Sequence, residues 1–320
     1  MVDLESLNAE KIFLLLVMDI QLQKETFKVR QIFSEIDDYL HTGDPIIREW
    51  FLINSKFWPA FLCTMYLIVV KIVGPAFMRD RKPFVLRKTL IVYNLFLVIT
   101  YSATIYVFMA NMVRIDPAIL CKNSNVNPSD STYTLAACGW MVYMLKYVEF
   151  LDTIFFVLRK KDKSITNLHV IHHAILPICG WVLFRTETSG FQSFPVLLNS
   201  IVHVLMYSYY GLAAIGPHVQ KYLWWKRYLT IIQMVQFILV ILFVTTITPL
   251  SGCSAAKTSV WVNTVLAVLF LILFYNFYTH SFQPKGSQLK KDFEKKQLEG
   301  DVSKHNNNEA ISETKKFKSN

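Results

Sequence analysis

Seven stretches of the chain run for about twenty residues with few charges, and short polar segments separate them. They are Phe57–Phe77, Thr89–Met112, Cys138–Leu158, Leu168–Phe184, Pro195–Ile215, Tyr228–Thr248 and Val260–Tyr278. A helix rises 1.5 Å per residue and needs about 20 apolar residues to cross about 30 Å of hydrocarbon. Each stretch therefore predicts a membrane-spanning helix, the fourth being short and interrupted by three histidines. The expected architecture is all-α and polytopic. Residues 1–50 form an acidic tail, 51–280 the seven-helix membrane domain and 281–320 a basic tail without a periodic apolar face. The short apolar run Ile12–Met18 follows the acids Asp3, Glu5 and Glu10 rather than the basic region of a secretory signal. The first true span is thus expected to serve as its own targeting signal.

Composition sharpens this picture. Hydrophobic residues make up 53% of the chain and charged residues only 18%, against about 25% in soluble domains. The charges also concentrate at the ends. Between residues 51 and 280 there are seven acids, Asp80, Asp116, Asp130, Glu149, Asp152, Asp162 and Glu187. Such a distribution excludes a nucleic-acid-binding globule, a disordered scaffold and a disulfide-rich secreted module.

Basic residues orient the spans. The segments after spans one, three and five carry Arg79, Arg81, Lys82, Arg87, Lys88, Arg159, Lys160, Lys161, Lys163, Lys221, Lys226 and Arg227. Those after spans two, four and six carry only Arg114, Lys122, Arg185 and Lys257. The positive-inside rule puts the richer set and the C-terminus in the cytosol, and the acidic N-terminal tail in the lumen. Cys121 and Cys253 then both lie in lumenal loops, where a disulfide between them is permitted; two free thiols fit the spacing equally. The C-terminal Lys316 and Lys318 match a dilysine retrieval signal of the endoplasmic reticulum.

Polar residues inside the spans fall on stripes. Lys146, Glu149 and Asp152, followed by Thr153, recur at helical spacing in span three. His169, His172 and His173 share one turn of span four. Span five carries Asn199, His203, Met206, Tyr207 and Tyr210, and span six carries Thr230, Gln233 and Gln236. Ionisable groups cost about 2.5–3.5 kcal/mol each at mid-membrane, so they mark a protein-lined cavity. Depth counted at 1.5 Å per residue places His169–His173 roughly 10–15 Å from the cytosolic surface and Glu149 about 15 Å. The stripes therefore predict a pocket that is polar toward the cytosol and apolar beyond, suited to an anionic head and a long apolar tail.

Two chemistries suit such a pocket. In a metal-dependent lipid desaturase or hydroxylase, imidazoles supply most of the iron ligands, and four membrane histidines are too few for a dinuclear site. A mononuclear site with three histidines stays open. In metal-free acyl transfer, a neutral imidazole attacks a thioester and splits one difficult step into two. Decarboxylation of a malonyl thioester then supplies the carbanion, provided that donors stabilise the enolate.

Four motifs decide what the chain resembles. Lys146-x-x-Glu149-x-x-Asp152-Thr153, His169-x-x-His172-His173, His203-x-x-Met206-Tyr207-x-Tyr209-Tyr210 and Thr230-x-x-Gln233-x-x-Gln236 occur in order on four spans. They resemble the signature motifs of the fatty-acid elongase (very-long-chain 3-oxoacyl-CoA synthase) family, over about residues 45–280. Ser164, Asn167 and the Thr188–Ser193 segment depart from its usual pattern.

The resemblance implies a seven-helix endoplasmic-reticulum protein enclosing an acyl-chain tunnel open to the cytosol. It implies condensation of a long-chain acyl-CoA with malonyl-CoA, without a metal or redox cofactor. Partners beyond the two substrates and the bilayer would be a second copy of the chain and the reductases and dehydratase of the cycle. His172 is the implied acyl acceptor and His203 the acid/base or malonyl-positioning group. His169 and His173 would orient them, and Lys146, Glu149 and Asp152 would set the electrostatics. Asn199, Tyr207, Tyr210, Gln233 and Gln236 are expected to contact substrate, and Lys160, Lys161, Lys163, Lys226 and Arg227 to attract the CoA phosphates.

Overall fold

The computed structural model describes residues 34–114, 130–186, 190–252 and 257–282, with a few positions between 21 and 32. Cys121, Cys253 and the C-terminal lysines lie outside the described residues. All regular structure among the described residues is helical. Six helices are long and apolar enough to cross a membrane. They are α1 (Phe57–Met78), α2 (Arg87–Met112), α5 (Asn167–Thr186), α6 (Ser193–Ile215), α7 (Lys226–Leu250) and α8 (Lys257–Phe282). The predicted third span falls on two consecutive helices, α3 (Asp130–Val148) and α4 (Phe150–Leu158).

The α3–α4 pair stands apart from the six because α3 opens on polar residues and α4 has only nine residues, and the pair carries the charged stripe. The two helices meet at Glu149, where the amide of Asp152 donates to the Glu149 carbonyl at 3.0 Å, a tightened turn. Short 3₁₀ turns inside a helix often mark functional positions, and here the turn coincides with a fully buried carboxylate. Helices α1 and α7 instead widen, through π-helical turns at Val69–Val73 and Phe243–Ile247.

Pairwise packing closes a ring. Helix α3 packs on α2, α2 along α6, α6 on α7, α7 on α8, α8 on α5, and α5 back on α3, while α1 docks outside against α5. Lipid tails are as apolar as the side chains they solvate, so shape and polar contacts hold such a ring rather than a hydrophobic driving force. Gly180 of α5 allows one close approach: a Cβ there would lie 2.9 Å from the Tyr143 ring of α3. Large apolar side chains such as Ile72, Val92, Tyr106, Trp261 and Ile272 are exposed on outward faces, as lipid contact requires.

The stretch expected as an N-terminal tail is partly folded. Asp44 accepts from the amides of Ile46 and Ile47 and caps a single helical turn, Pro45–Arg48. The indoles of Trp140 and Trp181 donate to the carbonyls of Phe51 and Ile53 at 3.0 and 3.1 Å. Arg185 donates to the Leu40 carbonyl, and its own carbonyl accepts from Gly43. Residues 40–53 thus lie across one end of the ring, opposite the loops rich in lysine and arginine.

Candidate active site

Within the ring, three helices contribute one buried cluster of polar groups. Lys146 and Glu149 sit three residues apart around the α3–α4 joint, and the lysine Nζ donates to both carboxylate oxygens at 3.2 Å. Glu149 has no exposed surface and Lys146 very little. Buried ions are costly unless paired and hydrogen-bonded, and the surroundings meet that condition. The Tyr101 hydroxyl of α2 donates to Glu149 Oε1 at 2.5 Å and accepts from Lys146 at 3.1 Å. His203 of α6 completes the cluster: Nδ1 lies 3.0 Å from Glu149 Oε1, off the line of a hydrogen bond, and Nε2 lies 3.4 Å from Lys146 Nζ.

A second cluster lies beside it. Asp152, one turn beyond Glu149, accepts from the Tyr207 hydroxyl at 2.8 Å. Thr153 bridges the Tyr66 hydroxyl of α1 and Nε2 of His169, at 2.9 and 2.8 Å. The His169 and His173 rings lie 4.5 Å apart between centroids and tilted by 60°, and His173 meets His172 edge to face at 5.3 Å. The His172 ring also packs 4.9 Å from Phe270 of α8, and its Nδ1 is buried with no hydrogen-bond partner among the described residues. Among those residues no group of three or more His, Cys, Asp or Glu is placed to hold a metal ion.

Two cavities meet at this point. One, of about 640 Å³, opens toward the basic loops and is lined by His169, His172, His173, His203, Asp152, Tyr210, Gln233, Lys163 and Lys226. The other, of about 270 Å³, is mainly apolar and runs toward the segment around Asp44 and Ile47. Asn199, Gln236 and Phe237 line both, and His172 is the one imidazole that does. A polar chamber joined to an apolar one, with a histidine at the junction, suits an amphiphile whose reactive carbonyl lies between head and tail.

The expected site residues separate into groups. Lys146, Glu149 and His203 interlock directly, and Asp152, His169, His172, His173, Asn199, Tyr210, Gln233 and Gln236 face the polar chamber. Tyr207 lies behind that wall, fully buried against Asp152. Gln233 also reaches the Met206 sulfur at 3.6 Å. The exposed Lys160 and Lys161 line a side crevice with Arg87 and Arg159, which shares Arg159 and Gln220 with the polar chamber. Arg227 lines neither, because its Nε donates to the Tyr278 hydroxyl at 2.6 Å.

Sequence reasoning missed Tyr101 and Tyr66. The available signal for Tyr101 was the buried spacing Tyr93, Leu97, Tyr101, Thr104, Phe108 on α2, a face without charge or histidine. Tyr101→Phe keeps the ring and removes the hydroxyl that both ions use. In detergent the variant should lose the equivalent of about 1.5–3 kcal/mol, as for a hydrogen bond to a charged group. An unchanged unfolding midpoint would show that the phenol carries no part of the network.

A ring of apolar helices around a histidine-lined, two-part cavity defines a polytopic membrane protein with a chamber suited to an amphiphile. Sequence comparison gives the family. The model of the GNS1/SUR4 family matches residues 51–290, and the chain belongs to that family. It is 39% identical over 240 residues to very long chain fatty acid elongase 7 of Drosophila melanogaster, covering 75% of this chain and 73% of the relative. It is 36% identical over 259 residues to elongase 7 of Rattus norvegicus (81% and 92% covered). It is 37% identical over 248 residues to elongase 4 of Mus musculus (77% and 78%).

Proposed function

We propose that the chain is the condensing enzyme of fatty-acid elongation, joining a long-chain acyl-CoA to malonyl-CoA. The names of its relatives support the activity. The position of His172 at the junction of the two cavities carries the assignment of the nucleophile. In this reading the acyl tail fills the apolar cavity, and the CoA moiety extends through the polar chamber toward Arg159, Lys163 and Lys226. The crevice beside Lys160 and Lys161 offers further phosphate contacts.

Nitrogen of His172 attacks the thioester carbonyl; the carbon–sulfur bond breaks, CoA leaves as thiolate and takes up a proton, and an acyl-imidazole remains. Malonyl-CoA then enters the chamber and loses CO2. The electron pair of the broken carbon–carbon bond becomes the enolate, which attacks the acyl carbon and expels the imidazole, whose leaving nitrogen takes up a proton from the water-accessible chamber. The product is a 3-oxoacyl-CoA two carbons longer. His203, held against Lys146 and Glu149, is placed to orient the malonyl group or balance charge as the enolate forms. Asn199 and Gln236 supply amide donors at the junction. His169 and His173 fix the ring planes around His172, His169 through Thr153 and Tyr66. No metal and no redox cofactor enters the scheme. The remaining expectations, a seventh membrane pass formed by α3 and α4, the endoplasmic-reticulum membrane and a cytosolic C-terminus, belong to the same reading.

The test uses membranes carrying the chain, labelled malonyl-CoA and a ladder of acyl-CoAs, with and without a strong chelator. The expected result is malonyl-dependent extension by two carbons that the chelator leaves unchanged. Label incorporation no greater than in membranes lacking the chain would overturn the reading, and activity abolished by chelation and restored by iron would favour metal chemistry.

A further inference from the structure

The apolar cavity is not apolar throughout. Part-way along it two amides from different helices meet. Gln192, in the turn that leads into α6, and Asn263 of α8 both line the cavity. Asn263 Nδ2 donates to Gln192 Oε1 at 3.3 Å and to the Ser259 carbonyl at 2.7 Å. Gln192 Nε2 is buried and has no hydrogen-bond partner among the described residues. The same cavity is lined by the apolar Val196, Val240, Leu266 and Ala267, and by Ser193 next to Gln192. Buried polar groups are normally satisfied, and an orphan donor in an apolar wall calls for an explanation.

Its depth follows from the helices. Gln192 lies seven residues before Asn199, which lines the junction. Asn263 lies seven residues before Phe270, whose ring touches His172. Both offsets correspond to about 10 Å along a helix axis. An extended chain advances about 1.2 Å per bond. An acyl chain with its carbonyl at His172 therefore passes this pair at about its ninth or tenth carbon, and the cavity continues to Ile47 and Tyr133.

We infer that Gln192 and Asn263 determine acyl-chain specificity by reading a hydrogen-bond acceptor in the middle of the chain. The inference rests on the condensing-enzyme reading above and goes beyond it. A saturated chain sets methylenes against the orphan amide and leaves it unpaired. A hydroxyl or oxo oxygen at that depth accepts from it, and the π electrons of a cis double bond do so more weakly. The shared chemistry is an acceptor at a fixed distance from the thioester, and the two sources differ in strength.

The experiment measures extension by the full chain in membranes. The primers are stearoyl-CoA, oleoyl-CoA, whose double bond falls at about this depth, and stearoyl-CoA hydroxylated at about the tenth carbon. Isomers with the same groups nearer the thioester complete the set, so that the wild-type protein alone supplies a test independent of folding. The expected result is a preference of about threefold or more for mid-chain acceptors over stearoyl, lost in the displaced isomers. Gln192→Leu and Asn263→Leu should bring the ratio of mid-chain-acceptor to stearoyl extension to about one, a ratio that is read independently of any change in the overall rate. A preference confined to the hydroxylated primer supports the inference and identifies oxygen as the group read. Equal extension of all primers, or a preference indifferent to acceptor position, overturns it and leaves the condensing activity intact. Extension of no primer overturns the underlying function as well.

Discussion

Replacing His172 with alanine is expected to abolish condensation, by about a thousandfold or more, while His169→Ala leaves measurable activity. The difference follows from where the rings sit. Among the described residues His172 is the one histidine facing both cavities, and its Nδ1 has no hydrogen-bond partner among them that would have to be broken before reaction. His169 faces the polar chamber alone and spends its Nε2 on Thr153. If His172 forms the covalent intermediate, its loss removes the first half-reaction rather than slowing it. Losing an orienting ring costs a smaller factor, because the nucleophile stays in place. The measurement is transfer of labelled malonyl carbon to a long-chain primer, with trapping of a labelled acyl-enzyme when malonyl-CoA is withheld. Acyl label retained by His172→Ala would show that another group carries the acyl chain. Full activity in that variant would remove the junction histidine from the mechanism altogether.

Much of this site could be read from spacing along single helices. The offset between Lys146 and Glu149 puts both charges on one face, and the offsets within His169–His173 do the same for three imidazoles. A charge in a membrane segment must turn inward, so the inward faces of α3, α5 and α6 were legible before any coordinates. What spacing along one helix cannot give is the partner across the gap. Tyr101 and Tyr66 bring uncharged hydroxyls from α2 and α1, and nothing in their own segments distinguishes them from tyrosines that only pack. The different surroundings of His172 and His203 are likewise a matter of rotation between helices. Both were visible as histidines, but only packing shows one at the junction and the other clasped by an ion pair.

Loops were less legible for a related reason. Sequence assigns Arg227 and Lys226 to the same basic segment, yet one turns to Tyr278 and the other lines the chamber. The acidic segment before α1 reads as a tail because its charge density is high, but two indole donors and Arg185 hold its last residues across the end of the ring. Charge composition reports solvation on average and says nothing of a few backbone carbonyls that find fixed donors.

The largest effect on stability should come from parting Lys146 and Glu149. Glu149→Leu leaves an enclosed ammonium whose remaining hydrogen-bond-range neighbours among the described residues are the Tyr101 hydroxyl and His203, with the Asp152 carboxylate acting on it from farther away, and removal of one member of a buried pair costs about 3–5 kcal/mol. The single variant should therefore unfold in detergent at a markedly lower temperature than the parent. The double variant Lys146→Met with Glu149→Leu removes both charges and fills the space with apolar groups, which is often neutral or stabilising. Most of the lost stability should return, a strong non-additivity of the kind expected for residues in contact. Condensation should not return with it. His203 would have lost the neighbours on both of its nitrogens, and its ring would be free to turn away from the chamber. Recovered stability without recovered condensation would assign the pair to holding His203 rather than to stability. A double variant no more stable than Glu149→Leu would show that the two charges do not offset each other. Restored condensation in the double variant would show that His203 needs neither of them.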